Sequence, residues 1–215
     1  MQSDKIKILI ADDHAIVREG LKQIVTEEHD MIVLGEAENV EKLMKLLEEN
    51  SFNIVVLDIN MPGKSGLDAL KDIRQFYPNL PVLILSMYNE DLYGIRALKA
   101  GASGYLKKAS APEELVSAIR KIVSGKKYIS PSLAEKLADT LSHGKGEALH
   151  EKLSDREYQI MCNIATGKSA EKIADELSLS INTIYSYRNR ILEKMSMKSN
   201  VELTQYVIQN KLIEI

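Results

Sequence analysis

Short apolar runs alternate with amphipathic stretches through the first 125 residues. Ile6 to Ala11, Ile32 to Ala37, Asn53 to Asp58 and Val82 to Leu85 each have the length and branched apolar content of a strand, and Ser103 to Leu106 reads as a fifth. Ile54-Val55-Val56-Leu57 is apolar at successive positions, the pattern of a strand buried on both faces near the centre of a parallel sheet. Between the runs, His14 to Glu28 puts Val17, Leu21, Ile24 and Val25 on one helical face. Val40 to Glu49 does the same with Leu43, Leu46 and Leu47, and Gly66 to Phe76 with Leu67, Leu70 and Ile73. The helix Glu90 to Lys99 stops at Ala100-Gly101, and Pro112-Glu113-Glu114 opens another that runs to Ser124. Five strands alternating with five helices predict a doubly wound α/β domain over residues 1–125, with a five-stranded parallel sheet, right-handed crossovers and helices on both faces.

The pattern changes after Gly125. Residues 126–150 read as a linker in which Pro131 to Leu141 predicts one short helix and His143-Gly144-Lys145-Gly146-Glu147 a flexible stretch. Residues 151–215 predict a small all-α domain. Ser154, in capping-box spacing with Glu157, caps Asp155 to Thr166; Gly167 stops that helix; Ala170 to Leu177 follows; Ser180 caps Asn182 to Met195; Val201 to Asn210 closes the chain. Helix, tight turn at Ser178-Leu179-Ser180, helix is helix-turn-helix geometry, whose second helix enters a DNA major groove. Ile184, Ile191 and Met195 mark the packing side of that helix.

Composition narrows the classes. A hydrophobic fraction of 45% and a charged fraction of 27% are those of a globular protein, and a net charge of -3 requires any nucleic-acid contact to come from a local basic patch. Thr183 to Lys198 supplies one, with Arg188, Arg190, Lys194 and Lys198 against Glu193. The single cysteine, Cys162, excludes an intramolecular disulfide and a multi-cysteine metal site, and fits a reducing cytosol. No apolar run approaches the roughly 18 residues of a membrane span, and the first residues lack the apolar core of a signal peptide, so a cytoplasmic protein with no membrane contact is expected.

The chemistry lies at the carboxyl ends of the strands, the rim where open parallel sheets place their sites. An aspartate there is, taken alone, as often a turn residue as a site. Here Asp12 and Asp13 follow the first strand, Asp58 ends the third, Ser86 the fourth and Lys108 the fifth. Two carboxylates about 4 Å apart repel by roughly 4 kcal/mol at an effective dielectric of 20, a cost that a divalent cation removes. Few, all-oxygen ligands completed by water suit Mg2+. A lysine and a hydroxyl beside such an ion describe phosphoryl transfer to Asp58 as nucleophile. Other signals fall away: Gly63-Lys64-Ser65 lacks the first glycine of a phosphate-binding loop, and Ser103 lacks the closing glycine of a nucleophile elbow. His14, His29, His143 and His150 show no ligand spacing and are expected at the surface, and Cys162 in the core.

Asp12-Asp13, Asp58-Ile59-Asn60-Met61-Pro62 with Gly66, Ser86, and Gly101-Ala102-Ser103-Gly104-Tyr105 leading to Lys108 resemble the receiver domain of two-component response regulators. The resemblance implies the flavodoxin-like strand order 2-1-3-4-5 and Asp58 as phosphoacceptor. It implies Mg2+ held by Asp12, Asp13, Asp58 and the backbone carbonyl of Asn60, with Ser86 and Tyr105 responding to phosphorylation. Family spacing from Gly101 selects Lys108 over Lys107. Leu153 to about Leu212 resembles the LuxR-type DNA-binding domain, so nearly the whole chain looks like a regulator of the NarL/FixJ class. The implied DNA-facing residues are Thr183, Tyr185, Ser186, Arg188, Asn189, Arg190 and Lys194; Tyr185 and Tyr187 stand where a basic residue and a histidine are frequent. The implied partners are a sensor histidine kinase, double-stranded promoter DNA, a second copy of the chain on phosphorylation and, as a further candidate, RNA polymerase. Two other readings compete: a Mg2+-dependent phosphohydrolase or phosphotransferase, for which substrate-lining residues are missing, and a DNA-binding dimer that works without phosphate.

Overall fold

The structure is a computed structural model that describes residues 5–88, 90–142, 148–210 and 212–213. The stretch His143 to Glu147, expected to be a flexible linker, lies outside the described residues. The chain divides into two units, one up to Leu137 and one from Ala138.

In the first unit β1 (Ile6–Ala11), β2 (Met31–Ala37), β3 (Ile54–Asp58), β4 (Val82–Ser86) and β5 (Gly104–Lys107) form one parallel sheet in the order β2-β1-β3-β4-β5. The helices α1 (Ala15–Thr26), α2 (Val40–Glu49), α3 (Gly66–Phe76), α4 (Glu90–Lys99) and α5 (Ala111–Val123) alternate with the strands. β3 and β4 are buried at every position, as their unbroken apolar runs require, because helices cover the inner strands on both faces. Ile8, Ile10, Val56, Leu83 and Leu85 pack with Leu21 and Val25 of α1 and Leu115, Ile119 and Ile122 of α5 into one core. At fully buried side chains of this size, each contributes about 1.5–3 kcal/mol of burial. Every strand runs toward the same rim, so the residues that follow β1, β3, β4 and β5 meet there.

The first unit extends past Gly125, where the apolar pattern alone ends it. Tyr128 bridges to Gly104 at the β5 edge: its carbonyl accepts from the Tyr105 N–H at 3.1 Å and its N–H donates to the Ser103 carbonyl at 3.0 Å. A Cβ on Gly104 would lie 2.7 Å from that carbonyl, so a residue without a side chain is needed for the close approach. Helix α6 (Pro131–Ser142) then begins, Ser130 and Ser132 hydrogen-bond to Glu90 of α4, and Leu133 is buried against Gly94. These contacts involve single residues in a polar stretch, which periodicity does not register.

The second unit holds α7 (Asp155–Ala165), α8 (Ala170–Leu177), α9 (Ile181–Lys194) and α10 (Asn200–Gln209). Ser154, Ser169, Ser180 and Ser199 each accept a backbone N–H at a helix start, and Ser154 with Glu157 completes a capping box. Ile173, Ile184, Ile191, Met195, Leu203 and Val207 are buried with Cys162, which is core as expected. The turn between α8 and α9 passes through Ser178 at φ +52°, a left-handed conformation that a residue with a Cβ adopts at a cost of roughly 1–2 kcal/mol. Among the described residues no helix is long and apolar enough to cross a membrane.

Candidate functional site

Asp12 and Asp58 are each 1% exposed, a costly placement for two carboxylates. The offset is Lys108: its Nζ stands 2.6 Å from Asp12 Oδ2 and 2.9 Å from Asp58 Oδ2. β5 ends at Lys107, and the one-turn 3-10 helix Lys108–Ser110 redirects the chain so that the ammonium beside Asp58 is that of Lys108. Burial pushes the Asp58 carboxyl up to about 6; the Lys108 charge and the Asn60 N–H pull it back, while Asp12 adds to the rise. Burial alone would lower the Lys108 ammonium, but the charges and hydrogen bonds of Asp58 and Asp12 outweigh it and hold it above its ordinary value.

The loop after β3 is folded back tightly on Asp58. The Gly66 N–H donates to the Ile59 carbonyl at 2.9 Å, and a Cβ at Gly66 would fall 1.9 Å from the Asp58 carbonyl oxygen. The start of α3 is therefore packed on backbone, and Ser65 caps it. This arrangement fixes Asn60 beside the aspartate.

A second group flanks the carboxylates. Ser86, fully buried, accepts from the Tyr88 N–H at 3.1 Å, and the Tyr105 hydroxyl donates to the Tyr88 carbonyl at 2.9 Å. Burial holds the Tyr105 phenol well above its usual value, which a hydrogen bond with Ser86 only partly offsets. Tyr105 is thus an inward-turned hydroxyl tied to the same loop as Ser86.

The residues present fit a divalent cation. Carboxylate oxygens of Asp12, Asp13 and Asp58 and a ring nitrogen of His14 all lie within 4.8 Å of one another. The Asp58 Oδ1 atom is buried without a hydrogen-bond partner, and a buried oxygen left that way asks for a positive charge. His14 is exposed, as expected, with its side chain 62% exposed and Nδ1 2.6 Å from Asp13 Oδ1. His150, also expected at the surface, is partly buried, with Nδ1 2.9 Å from the Tyr206 hydroxyl. His29 is exposed, and His143 lies outside the described residues.

In the second unit α9 turns Ile184, Ile191 and Leu192 inward, which leaves Asn182, Ser186, Asn189, Arg190 and Glu193 on the opposite face. Tyr185, 49% exposed, flanks that face on one side. Thr183 and Tyr187 flank the other, the first hydrogen-bonded to Ser180 at 2.7 Å and the second lying under the Arg190 guanidinium at 5.9 Å. Two basic residues are drawn away. Arg188 Nε donates to Asn200 of α10 at 2.7 Å, and Lys194 Nζ reaches Glu157 of α7 at 2.6 Å. Burial raises Glu157, but Lys194 and the Ser154 N–H outweigh it and hold the carboxyl below its ordinary value. Lys194 accordingly pins α9 to α7.

Residues 8–120 match the response regulator receiver domain, and residues 151–207 match the luxR family of bacterial regulatory proteins. The chain belongs to the response regulators. It is 35% identical to the response regulator GacA of Pseudomonas aeruginosa over 97% of its own length and 98% of the relative's. Among solved structures, this response regulator resembles Salmonella typhimurium RcsB at 27% identity and a TM-score of 0.59, covering 96% of its own chain and 99% of the other. It also resembles RcsB in a structure of two dimers bound to two parallel DNAs, at 26% identity and a TM-score of 0.59, covering 98% of its own chain and all of the other. The chain is therefore a two-component response regulator with a LuxR-type DNA-binding domain.

Proposed function

We propose that this response regulator accepts a phosphoryl group on Asp58 from a sensor histidine kinase, dimerises, and binds promoter DNA through α9 to regulate transcription in the cytoplasm. The observation that carries the reading is the state of Asp58: a buried carboxylate with one oxygen on Lys108 and the other without a donor, opposite Asp12 and Asp13. At neutral pH a carboxyl with a pKa of about 6 is mostly ionised, so it can attack phosphorus. The P–O bond to Asp58 forms as the P–N bond of the kinase phosphohistidine breaks, and the imidazole leaves with a proton from solvent.

Asp12, Asp13, Asp58 and the Asn60 carbonyl would hold Mg2+, which when bound supplies charge neutralisation for the phosphoryl oxygens. Lys108 neutralises the attacking side, and Ser86 offers its hydroxyl to the new group. If Ser86 turns toward a phosphoryl oxygen, it gives up Tyr88 and Tyr105. The Tyr88–Tyr105 pair then has two arrangements, which makes it the switch. The likeness to RcsB dimers on DNA supports dimerisation and DNA contact. For α9, the outward Asn182, Ser186, Asn189 and Arg190, flanked by Tyr185 and Thr183, are the groups in reach of a groove; RNA polymerase is a further partner of a promoter-bound dimer.

Incubation with a small-molecule phosphodonor and Mg2+ should label the parent chain at Asp58, with labelling lost in Asp58→Asn and on chelation. A variant labelled as well as the parent would place the acceptor elsewhere.

A further inference from the structure

We infer that α9 selects A·T base pairs, with Ile181 and Tyr185 seated against thymine methyl groups and the Asn182 amide on an adenine edge. The inference rests on the reading of α9 as the helix that enters the groove. Its own basis is the chemistry of the first half of that helix, the part that meets base edges when a recognition helix docks. Ile181-Asn182-Thr183-Ile184-Tyr185-Ser186-Tyr187 contains no Lys, Arg, Asp or Glu. Guanine is read in the major groove by Arg or Lys on its O6 and N7, and cytosine by Asp or Glu on its amino group. This stretch has a side chain for neither.

The cations further along α9 do not fill the gap. Arg188 is held by Asn200 and by the Asn189 side-chain oxygen at 3.2 Å, and Lys194 by Glu157. Arg190 follows Tyr185 by five residues, about 140° around the helix, and its guanidinium lies over the Tyr187 ring. The two hydroxyls of the first half are turned to the helix itself, Thr183 to Ser180 and Ser186 to the Asn182 carbonyl at 3.0 Å. What remains is apolar surface and one amide. Ile181 is 40% and Tyr185 49% exposed, and at a spacing of four they stand one turn apart on the same edge of α9, beside the exposed Asn182. Thymine alone carries a methyl group in the major groove, where apolar side chains pack on it, and adenine offers the paired acceptor and donor that an asparagine amide matches. A tyrosine that is merely exposed would respond to neither.

Duplexes retained by the phosphorylated full-length chain from a randomised pool, then remade with uracil in place of single thymines, test this. Uracil keeps the base pair and removes only the methyl group. The parent should lose affinity about fourfold at each contacted thymine, the size expected from exposing one buried carbon. Tyr185→Ala should bind the thymine and uracil duplexes alike at one of those positions, and Tyr185→Phe, which keeps the ring without the hydroxyl, should retain the parent's penalty. Asn182→Ala should lose roughly five- to 100-fold in discrimination at one adenine. Absence of a uracil penalty in the parent, an equal penalty in Tyr185→Ala, or G·C pairs at the positions that Tyr185→Ala and Asn182→Ala relax would overturn the inference while leaving α9 as the reader. If the pool yields no preferred sequence, or if Asn182→Ala, Tyr185→Ala and Arg190→Ala all bind the selected duplex as the parent does, α9 is not the reader and the inference falls with that reading.

Discussion

Asp58 is a residue whose burial works against the fold. Its carboxyl is raised from 3.8 to about 6, so between those values the folded chain holds a proton that the unfolded chain has released. Stability from this group is therefore highest at low pH, falls as pH rises through that window, and above it stays lower by about 3 kcal/mol. Asp58→Asn removes the charge while Lys108 keeps Asp12 at 2.6 Å. In chelator, the variant should gain roughly 1–3 kcal/mol over the parent at pH 7, with no gain near pH 4, by urea denaturation. Equal stability of the two chains across that range would mean that the carboxyl is not raised. At this scale the convergence of most candidate residues was legible, because a parallel sheet carries the residues after β1, β3, β4 and β5 to one rim whatever their separation in sequence. Asp12, Asp13, Asp58, Ser86 and Lys108 needed only that topology. His14 is at the surface as expected, but its contact with Asp13 was not legible, since nothing about one histidine after two aspartates reveals that its ring stands 2.6 Å from Asp13 Oδ1.

At the scale of elements, spacing identifies faces but not what neighbouring elements do to them. The apolar positions of α9 give the packing side directly. They do not reveal that Asn200 of α10 engages Arg188 or that Glu157 of α7 engages Lys194, because those partners belong to other helices. Arg190 is thus the α9 cation left facing outward. Arg190→Ala should weaken DNA binding by roughly 1–3 kcal/mol with the fold unchanged. Arg188→Ala and Lys194→Ala should act chiefly on thermal stability of the second unit, which leaves the charged partner Glu157 buried without its cation in the latter case. Titration of duplex DNA into each variant, beside its melting curve, separates the two classes. The connector shows the same limit of sequence patterning. Residues 126–150 read as linker with one short helix, yet Leu133 is fully buried against α4. Leu133→Ala in the full chain should cost about 2–5 kcal/mol on the transition of the first unit. A cost under about 0.5 kcal/mol, the range of ordinary surface changes, would return this segment to the linker.

For the whole molecule, charge decides how DNA binding must be organised. From Ala138 to Ile215 the chain carries ten Lys and Arg against eleven Asp and Glu, a net of -1, so the DNA-binding unit is not a general polyanion binder. Lys168 is paired with Glu176, and Lys194 with Glu157. On α8, α9 and the turn after α9, the exposed cations in no ion pair among the described residues are Lys172, Arg190 and Lys198. Three such charges per subunit give little electrostatic affinity to a monomer, and one recognition helix reads only a short half-site. Two copies on half-sites about one helical turn apart double both the charge and the contacts. Phosphorylation that favours the dimer should therefore raise specific affinity far more than non-specific affinity. The salt dependence should stay shallow: six phosphate contacts per dimer correspond to a slope of about −5 in log K against log salt. Binding of the phosphorylated chain to specific and random duplexes, over a salt series and at several half-site spacings, reads all three quantities. A much steeper slope, or specific binding that ignores both phosphorylation and spacing, would show that cations outside this face hold the DNA and that the monomer is the binding form.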